Sequence, residues 1–182
     1  MPRENKTQYA ILGFLQYQPM SGYDIKKCTE GSVSYFWQEN YGHIYPVLSK
    51  LLKQGLVTSR TEVSEAGPER KVYSITKKGE EAFSQWIDQE SEPERYRNEL
   101  LLKLFFIPAN AKQQMIGHIQ AEKSRHEKLL LNYKKIQSLI LEKESDEHFS
   151  PAWLFTVKNG IFTSRAQIDW CHECLEHLQH VD

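Results

Sequence analysis

The fold is decided by the segments Ser21-Gly22-Tyr23-Asp24-Ile25, Ile44-Tyr45-Pro46 and Gly55-Leu56-Val57. The first begins with serine, a favoured helix N-cap, and predicts a short helix to about Glu30 in which Tyr23 and Ile25 are buried. The second contains a proline, which is tolerated only in the first turn of a helix, so the next helix begins near His43. The glycine of the third segment lies where a left-handed cap would end that helix. The three segments therefore predict two short helices joined by a turn.

An apolar helix and a β-hairpin flank this pair of helices. The apolar helix is predicted at residues 8–15, from its spacing of hydrophobic side chains. The strands are predicted at 56–63 and 70–75, with Gly67-Pro68 in the turn between them. Thr76 can cap a further helix, which ends near Gln89. This order predicts a winged helix-turn-helix, in which the second helix of the pair enters the major groove of DNA.

The outward face of that second helix carries the predicted DNA contacts. At about 100° per residue, Ile44, Leu48 and Leu51 point inward, so the polar side chains between them face away from the core. Basic residues follow in the hairpin, where phosphates or a minor groove would lie. The predicted DNA-binding residues are His43, Tyr45, Ser49, Lys50, Lys53, Arg60, Arg70 and Lys71. The alternative is a winged helix that contacts only protein.

Charge is distributed unevenly along the chain. Its net charge is −1, but residues 1–80 hold 11 Lys and Arg against 8 Asp and Glu, a net charge of +3, which leaves −4 for the remainder. A near-neutral total does not exclude DNA binding when the basic side chains share one face. The chain has three cysteines, no apolar run long enough for a bilayer and no apolar stretch in its first residues. We therefore expect a cytoplasmic protein.

A polar, proline-bearing segment at 90–94 predicts a domain junction, which gives a DNA-binding domain at 1–90 and an α-helical domain at 91–182. The second domain is predicted to contain a short apolar helix at 98–107, a long helix that ends near 143, and a last helix at 151–179. Both long helices carry heptad seams, which predict a helix-on-helix pairing surface for a homodimer. The predicted dimerisation residues are Leu154, Ile161, Ile168 and Leu175.

Two polar features interrupt these seams. Glu122 and His126 occupy core-type positions of the long helix, where they would either set the register of pairing or lie in solvent. Cys171 and Cys174 in the last helix are either packed thiols or a metal- or thiol-responsive sensor. We expect no cofactor and no bound metal. No nucleophile paired with a base, carboxylate pair or phosphate loop stands out, so the sequence does not indicate an enzyme.

Aromatic side chains are frequent near the predicted junction. They would either line a cavity for a planar apolar effector or form the core between the domains. The candidate effector-binding residues are Phe36, Trp37, Tyr41, Phe105 and Trp153.

The sequence resembles the PadR family of bacterial transcriptional regulators. The resemblance rests on Tyr9-Ala10-Ile11-Leu12-Gly13, on the helix-turn-helix segments quoted above, on Tyr73-Ser74-Ile75-Thr76 and on Asn98-Glu99-Leu100-Leu101-Leu102-Lys103. The last segment is similar to the longer members, whose helical C-terminal domain is like that of the virulence activator AphA. The resemblance implies a homodimer, a palindromic operator and a repressor released by a small ligand, which is a phenolic acid in one branch. An activator that needs no ligand is the alternative within the family.

Overall fold

The computed structural model describes residues 6–37, 44–64, 67–93, 96–143, 145 and 150–180. Within these ranges the fold is mainly helical, with one small antiparallel sheet. The helices are α1 (Thr7–Leu15), α2 (Gly22–Gly31), α3 (Ile44–Lys53), α4 (Lys77–Ile87), α5 (Glu99–Phe106), α6 (Lys112–Leu141) and α7 (Pro151–His180), with a short 3₁₀ helix at Val33–Tyr35. The strands are β1 (Met20–Ser21), β2 (Val57–Ser64) and β3 (Gly67–Ile75). The predicted winged helix-turn-helix followed by an α-helical region is confirmed.

The chain forms two compact units, residues 1–93 and 94–182. The first unit contains α1 to α4 and the sheet, and the second contains α5 to α7. None of the described helices combines the length and the apolar character that crossing a membrane requires.

The core of the first unit lies between α1, α2, α3 and the sheet. Its buried side chains are Ile11, Leu12, Leu15, Met20, Ile25, Ile44, Val47, Leu48, Leu51, Val57 and Tyr73. Tyr9, which packs against this core, stacks on Trp86 of α4, with ring centroids 4.6 Å apart and planes 3° apart. Helices α1, α2 and α3 are thus held together by one continuous hydrophobic core.

A capping box fixes the start of α2, as the serine at its N-cap predicts. The Asp24 N–H donates to Ser21 Oγ at 3.2 Å, and the Ser21 N–H donates to an Asp24 carboxylate oxygen at 3.1 Å. The Ser21 hydroxyl, as the first cause, holds the pKa of Asp24 below its usual value. Ile25 is fully buried as predicted, but the prediction for Tyr23 is wrong, because its side chain is 67% exposed. Tyr23 lies two residues from Ile25 and hence on the opposite side of the helix.

The sheet has the strand order β1-β3-β2, with both pairs antiparallel. The two-residue strand β1 was not predicted; it pairs Met20 with Tyr73 and Ser21 with Val72. The predicted turn at 64–69 was too long, because β3 already begins at Gly67, which pairs with Ser64. The strand register is irregular between Glu62 and Ser64. From Glu62 back to Val57 it is regular, and Glu62 faces Arg70.

Two glycines lie where α3, the β2–β3 hairpin (the wing) and α4 meet. Gly55 has φ of +69°, the left-handed conformation predicted for the end of α3. Gly79 lies in the first turn of α4, and its N–H donates to Oγ1 of Thr76, the N-cap of that helix. The Thr76 hydroxyl in turn donates to the Gly55 carbonyl at 2.8 Å. A side chain on Gly79 would meet the Leu56 carbonyl oxygen, so this junction requires glycine.

The second unit is built on the pairing of α6 with α7, the most extensive helix contact in the described structure. Tyr133 of α6 lies against Gly160 of α7, whereas Glu122 lies near Cys171, so the two helices run antiparallel. The buried side chains at this contact are Ile119, His126, Tyr133, Val157, Ile161, Ser164 and Cys171. By contrast, α5 buries none of its residues within the chain, and the side chain of Asn98 caps its start.

Candidate nucleic-acid interface

Helix α3 presents a polar face on the side opposite its buried residues. Ile44, Val47, Leu48 and Leu51 lie in the core, and the predicted contact residues between them are exposed. These exposed residues are Tyr45, Ser49, Lys50 and Lys53. Lys50 and Lys53 stand in the last turn of the helix, where a cation is favourable beside the helix dipole. His43, predicted to approach base edges, lies outside the described residues.

Tyr45 marks the N-terminal end of this face. Its side chain is 61% exposed, yet its ring packs on Gly22, the first residue of α2. A Cβ on Gly22 would lie 2.7 Å from the Tyr45 ring. The absence of a side chain at Gly22 therefore leaves room for the tyrosine ring, most of which stays exposed to solvent.

The basic residues of the hairpin divide between its two faces. Side chains alternate along a strand, so Arg70 and Lys71 point to opposite sides. Arg60 and Arg70 lie on the side of Glu62, and both guanidinium groups bond to its carboxylate. Lys71 lies on the other side, with Nζ 5.8 Å from the centroid of the Tyr73 ring. The structure thus brings Arg60 and Arg70 together and separates Lys71 from them.

Glu62 is the site residue that the sequence analysis missed. Its two arginine partners hold its pKa below the usual value, so it is ionised at neutral pH. Arg70 also contributes to the lowered pKa of Asp24 at the start of α2. Glu62 follows Arg60 by two residues on a predicted strand and so shares its face, but the part of Arg70 could be seen only from the correct pairing of the strands.

The candidate effector residues are distributed over both units. Phe36 follows the 3₁₀ helix and is exposed, while Trp37 is half-buried. Phe105 is 81% exposed on α5, with Phe106 edge-on to it, and Trp153 is half-buried in the first turn of α7. Tyr41 lies outside the described residues. A surface depression of about 430 Å³ between α1 and α4 is lined by other residues, among them Gln16, Phe83 and Ile87.

The predicted dimerisation residues of α7 are not equivalent. Ile161 is buried by its own chain against α6, so it has no surface left for a second subunit. Leu154, Ile168 and Leu175 are half-buried and keep part of their surface free. The seam of α7 was therefore correctly identified as apolar, but one of its members serves the contact with α6.

Of the polar residues in the α6 seam, His126 is buried and Glu122 is largely shielded from solvent, with its side chain 11% exposed. His126 is 8% exposed, and its Nε2 lies 3.2 Å from a carboxylate oxygen of Glu122, which also bonds to Arg125. Among the described residues, the buried Nδ1 atom of His126 has no hydrogen-bond partner. The interpretation of these positions as solvent-exposed is wrong, because the heptad register places both on the side of α6 that faces α7.

Cys171 packs as an apolar residue in the same contact. It is fully buried, and burial raises the pKa of its thiol to about 11, so the reactive thiolate is scarce at neutral pH. Among the described side chains, no three His, Cys, Asp or Glu residues are arranged to hold a metal ion. This geometry favours the packed thiol over the sensor.

We expect Cys171→Ser to destabilise the second unit by about 1–3 kcal/mol, because the hydroxyl would lie in an apolar contact. Thermal melting followed by circular dichroism measures the change. The half-buried Cys174→Ser is the matched control and should have a smaller effect. If a chelator lowers the melting temperature of the wild-type protein, the packed-thiol interpretation is wrong.

Two family profiles match consecutive parts of the chain. Residues 11–85 match the transcriptional regulator PadR-like family, and residues 96–179 match the virulence activator alpha C-term family. The negative transcriptional regulator PadR of Bacillus subtilis is 35% identical over 108 residues, which is 59% of this chain and 59% of that protein.

Solved structures of PadR and AphA align with almost the whole chain. B. subtilis PadR in complex with operator DNA has a TM-score of 0.84 at 24% identity, covering 96% of this chain and 99% of that chain. The Vibrio cholerae virulence activator AphA has a TM-score of 0.75 at 27% identity, covering 95% and 98%. A further structure of B. subtilis PadR, with a TM-score of 0.80 and 24% identity over 96% and 99%, contains p-coumaric acid.

Proposed function

Since this chain belongs to the PadR-like family of transcriptional regulators, which are not enzymes, we propose that it binds a palindromic operator as a homodimer. In this proposal residues 1–90 bind DNA and residues 91–182 hold the dimer and an effector. Binding represses transcription, and a small aromatic ligand, a phenolic acid by analogy with PadR of B. subtilis, releases it. The observation that carries the proposal is the exposed face of α3 with Tyr45 at one end and Lys50 and Lys53 at the other.

The chemistry of this face suits a DNA backbone and groove. A helix docks into the major groove with its outward side chains, and phosphate contacts from Lys, Ser and Tyr fix its position. The first residues of α3 would lie closest to base edges, and the lysines in its last turn would contact phosphates. The wing arginines would extend the contact to the adjacent backbone.

Replacement of Lys50 and Lys53 by alanine is expected to weaken binding to all DNA sequences. Each lost phosphate contact should lower the slope of log K against log salt by about one unit. Fluorescence anisotropy with DNA enriched by the protein from a random pool measures both quantities. Lys135→Ala, an exposed lysine of α6, is the matched control and should leave binding unchanged. If the double variant binds like wild type, α3 does not contact DNA.

The proposed dimer is supported by the apolar surface that the second unit leaves exposed. These exposed side chains are Leu101, Leu102, Phe105 and Phe106 of α5, Leu131, Leu139 and Leu141 of α6, and Phe155 and Phe162 of α7. Monomeric proteins rarely expose so many large apolar residues in one small unit, and such surfaces are typical of subunit contacts. The half-buried Leu154, Ile168 and Leu175 would add to the contact.

The effector would act by a shift between two populations of the dimer. It would bind better to a dimer whose α3 helices no longer match half-sites one DNA turn apart. The likeness to AphA supports a second candidate, an activator that needs no ligand. A reporter gene behind the enriched DNA separates them: the repressor lowers expression until a phenolic acid is added, whereas the activator raises it.

A further inference from the structure

Three side chains of the wing form one ion-paired cluster, which we call the wing clamp: Arg60, Glu62 and Arg70. Nε and Nη2 of Arg60 lie 3.1 and 2.9 Å from Glu62 Oε1. Nε and Nη2 of Arg70 lie 3.2 and 2.9 Å from Glu62 Oε2. Each carboxylate oxygen therefore accepts from one arginine, and the carboxylate bridges two guanidinium groups.

The strand register creates this cluster. Glu62 of β2 is directly opposite Arg70 of β3, and Arg60 lies two residues earlier on the same face of β2. The side chains of Arg60 and Arg70 are 66% and 59% exposed, whereas that of Glu62 is 32% exposed. The carboxylate is thus the inner group of the clamp, and the two guanidinium groups form its outer surface.

The clamp leaves each arginine able to donate to a phosphate. A guanidinium group has five N–H donors, and the bonds to Glu62 use Nε and Nη2 only. The Nη1 donors remain directed away from the carboxylate. A phosphate competes for the same charge-assisted, two-pronged contact that a carboxylate makes.

The Glu62 carboxylate reduces the positive charge that the clamp offers to DNA. Two guanidinium groups and one carboxylate carry a net charge of +1, where the arginines alone would carry +2. Affinity for DNA depends on the positive charge that a protein brings to the phosphates, and each neutralised phosphate contributes about 0.9 to the salt slope.

We propose that Glu62 sets the affinity of the wing for DNA, holding Arg60 and Arg70 on its carboxylate until backbone phosphates take its place. This inference rests on the proposed function and adds a residue that opposes binding. Backbone contacts carry no sequence information, so the effect is the same on operator and on random DNA. Its consequence is that the regulator is less strongly retained by the excess of non-specific DNA in a genome.

The test is Glu62→Gln in the full-length chain, which keeps the shape of the side chain and removes its charge. Anisotropy is measured with the enriched DNA and with a random duplex of about 30 base pairs, long enough for two half-sites one turn apart. Because the dimer brings two wings to the DNA, we expect a salt slope steeper by about 1.8 and about sixtyfold tighter binding to both DNAs at 0.1 M salt. Melting temperature establishes that the variant is folded.

Glu69→Gln is the matched control, since it removes the same charge from an exposed residue next to Arg70 on β3. Screening at 0.1 M salt should limit its effect to about twofold. In an Arg60→Ala/Arg70→Ala background, Glu62→Gln should tighten binding no more than Glu69→Gln does.

The outcomes separate this inference from the proposed function. If wild type shows no salt-dependent binding to either DNA, the proposed function fails. If wild type binds but Glu62→Gln binds equally or more weakly, or tightens no more than Glu69→Gln, the proposed role of Glu62 is overturned while DNA binding stands.

Discussion

Gly79→Ala is expected to destabilise the first unit by about 3 kcal/mol or more, the sum of overpacking and a damaged helix cap. The added Cβ would meet the Leu56 carbonyl oxygen, and it would also lie 2.8 Å from Cγ1 of Ile75. The same carbonyl accepts the Thr76 N–H at 3.1 Å, so moving it breaks the bond that ties the start of β2 to the end of β3. Neither neighbour is the free end of a flexible side chain.

Thermal denaturation followed by circular dichroism measures this effect. A loss of about 3 kcal/mol should lower the melting temperature of a unit this size by about 12–24 °C. Gly31→Ala is the matched control, because Gly31 lies in a helix of the same unit and a Cβ there has nothing within 4 Å. It should be neutral or stabilising by up to about 1 kcal/mol. A Gly79→Ala protein that melts within a degree or two of wild type would contradict the close approach to Leu56.

Local signals in the sequence were sufficient to predict most of the fold. Ser21, Gly55 and Thr76 were each predicted from the chemistry of helix ends, and each has the predicted role. These interactions are made within about four residues, so the sequence spacing contains them. The requirement for glycine at residue 79 could not be derived in this way, because its neighbour Leu56 is distant in the sequence.

The wing shows how a small error in a turn changes a site. Strands at 56–63 and 70–75 would place residue 63 opposite residue 70, and hence Glu62 opposite Lys71. The actual turn is shorter, and Glu62 faces Arg70. A shift of one residue exchanges the two faces of a strand, so the wing clamp was not predictable without the register.

The heptad pattern predicted which faces of α6 and α7 are buried but not what buries them. A seam gives the same spacing whether its partner is another helix of the chain or a second subunit. Ile161 was predicted to lie at a dimer contact and is covered by α6, while the large apolar residues left exposed lie elsewhere, as on α5. The surface that remains exposed is therefore the better guide to a subunit contact.

Removal of the second unit is expected to lower the affinity for a palindromic operator on the order of a hundredfold or more. In a dimer, binding of one half-site brings the second α3 to its half-site at an effective concentration in the millimolar range. A fragment ending at residue 93 retains the core of the first unit, including Ile11, Leu48 and Tyr73, and should remain folded. Its circular dichroism and melting curve would establish that.

Sedimentation equilibrium and anisotropy test this prediction together. At micromolar concentration the full-length chain should be a dimer and the 1–93 fragment a monomer. A duplex with a single half-site is the control, since both proteins should bind it with similar affinity. A shorter deletion of residues 150–182 is less suitable, because it would uncover Ile119 and Tyr133, which α7 buries. A full-length chain that sediments as a monomer, or a fragment that binds the palindrome as tightly as the full chain, would contradict the dimer. Either result would also remove the route by which an effector could change the spacing of the α3 helices.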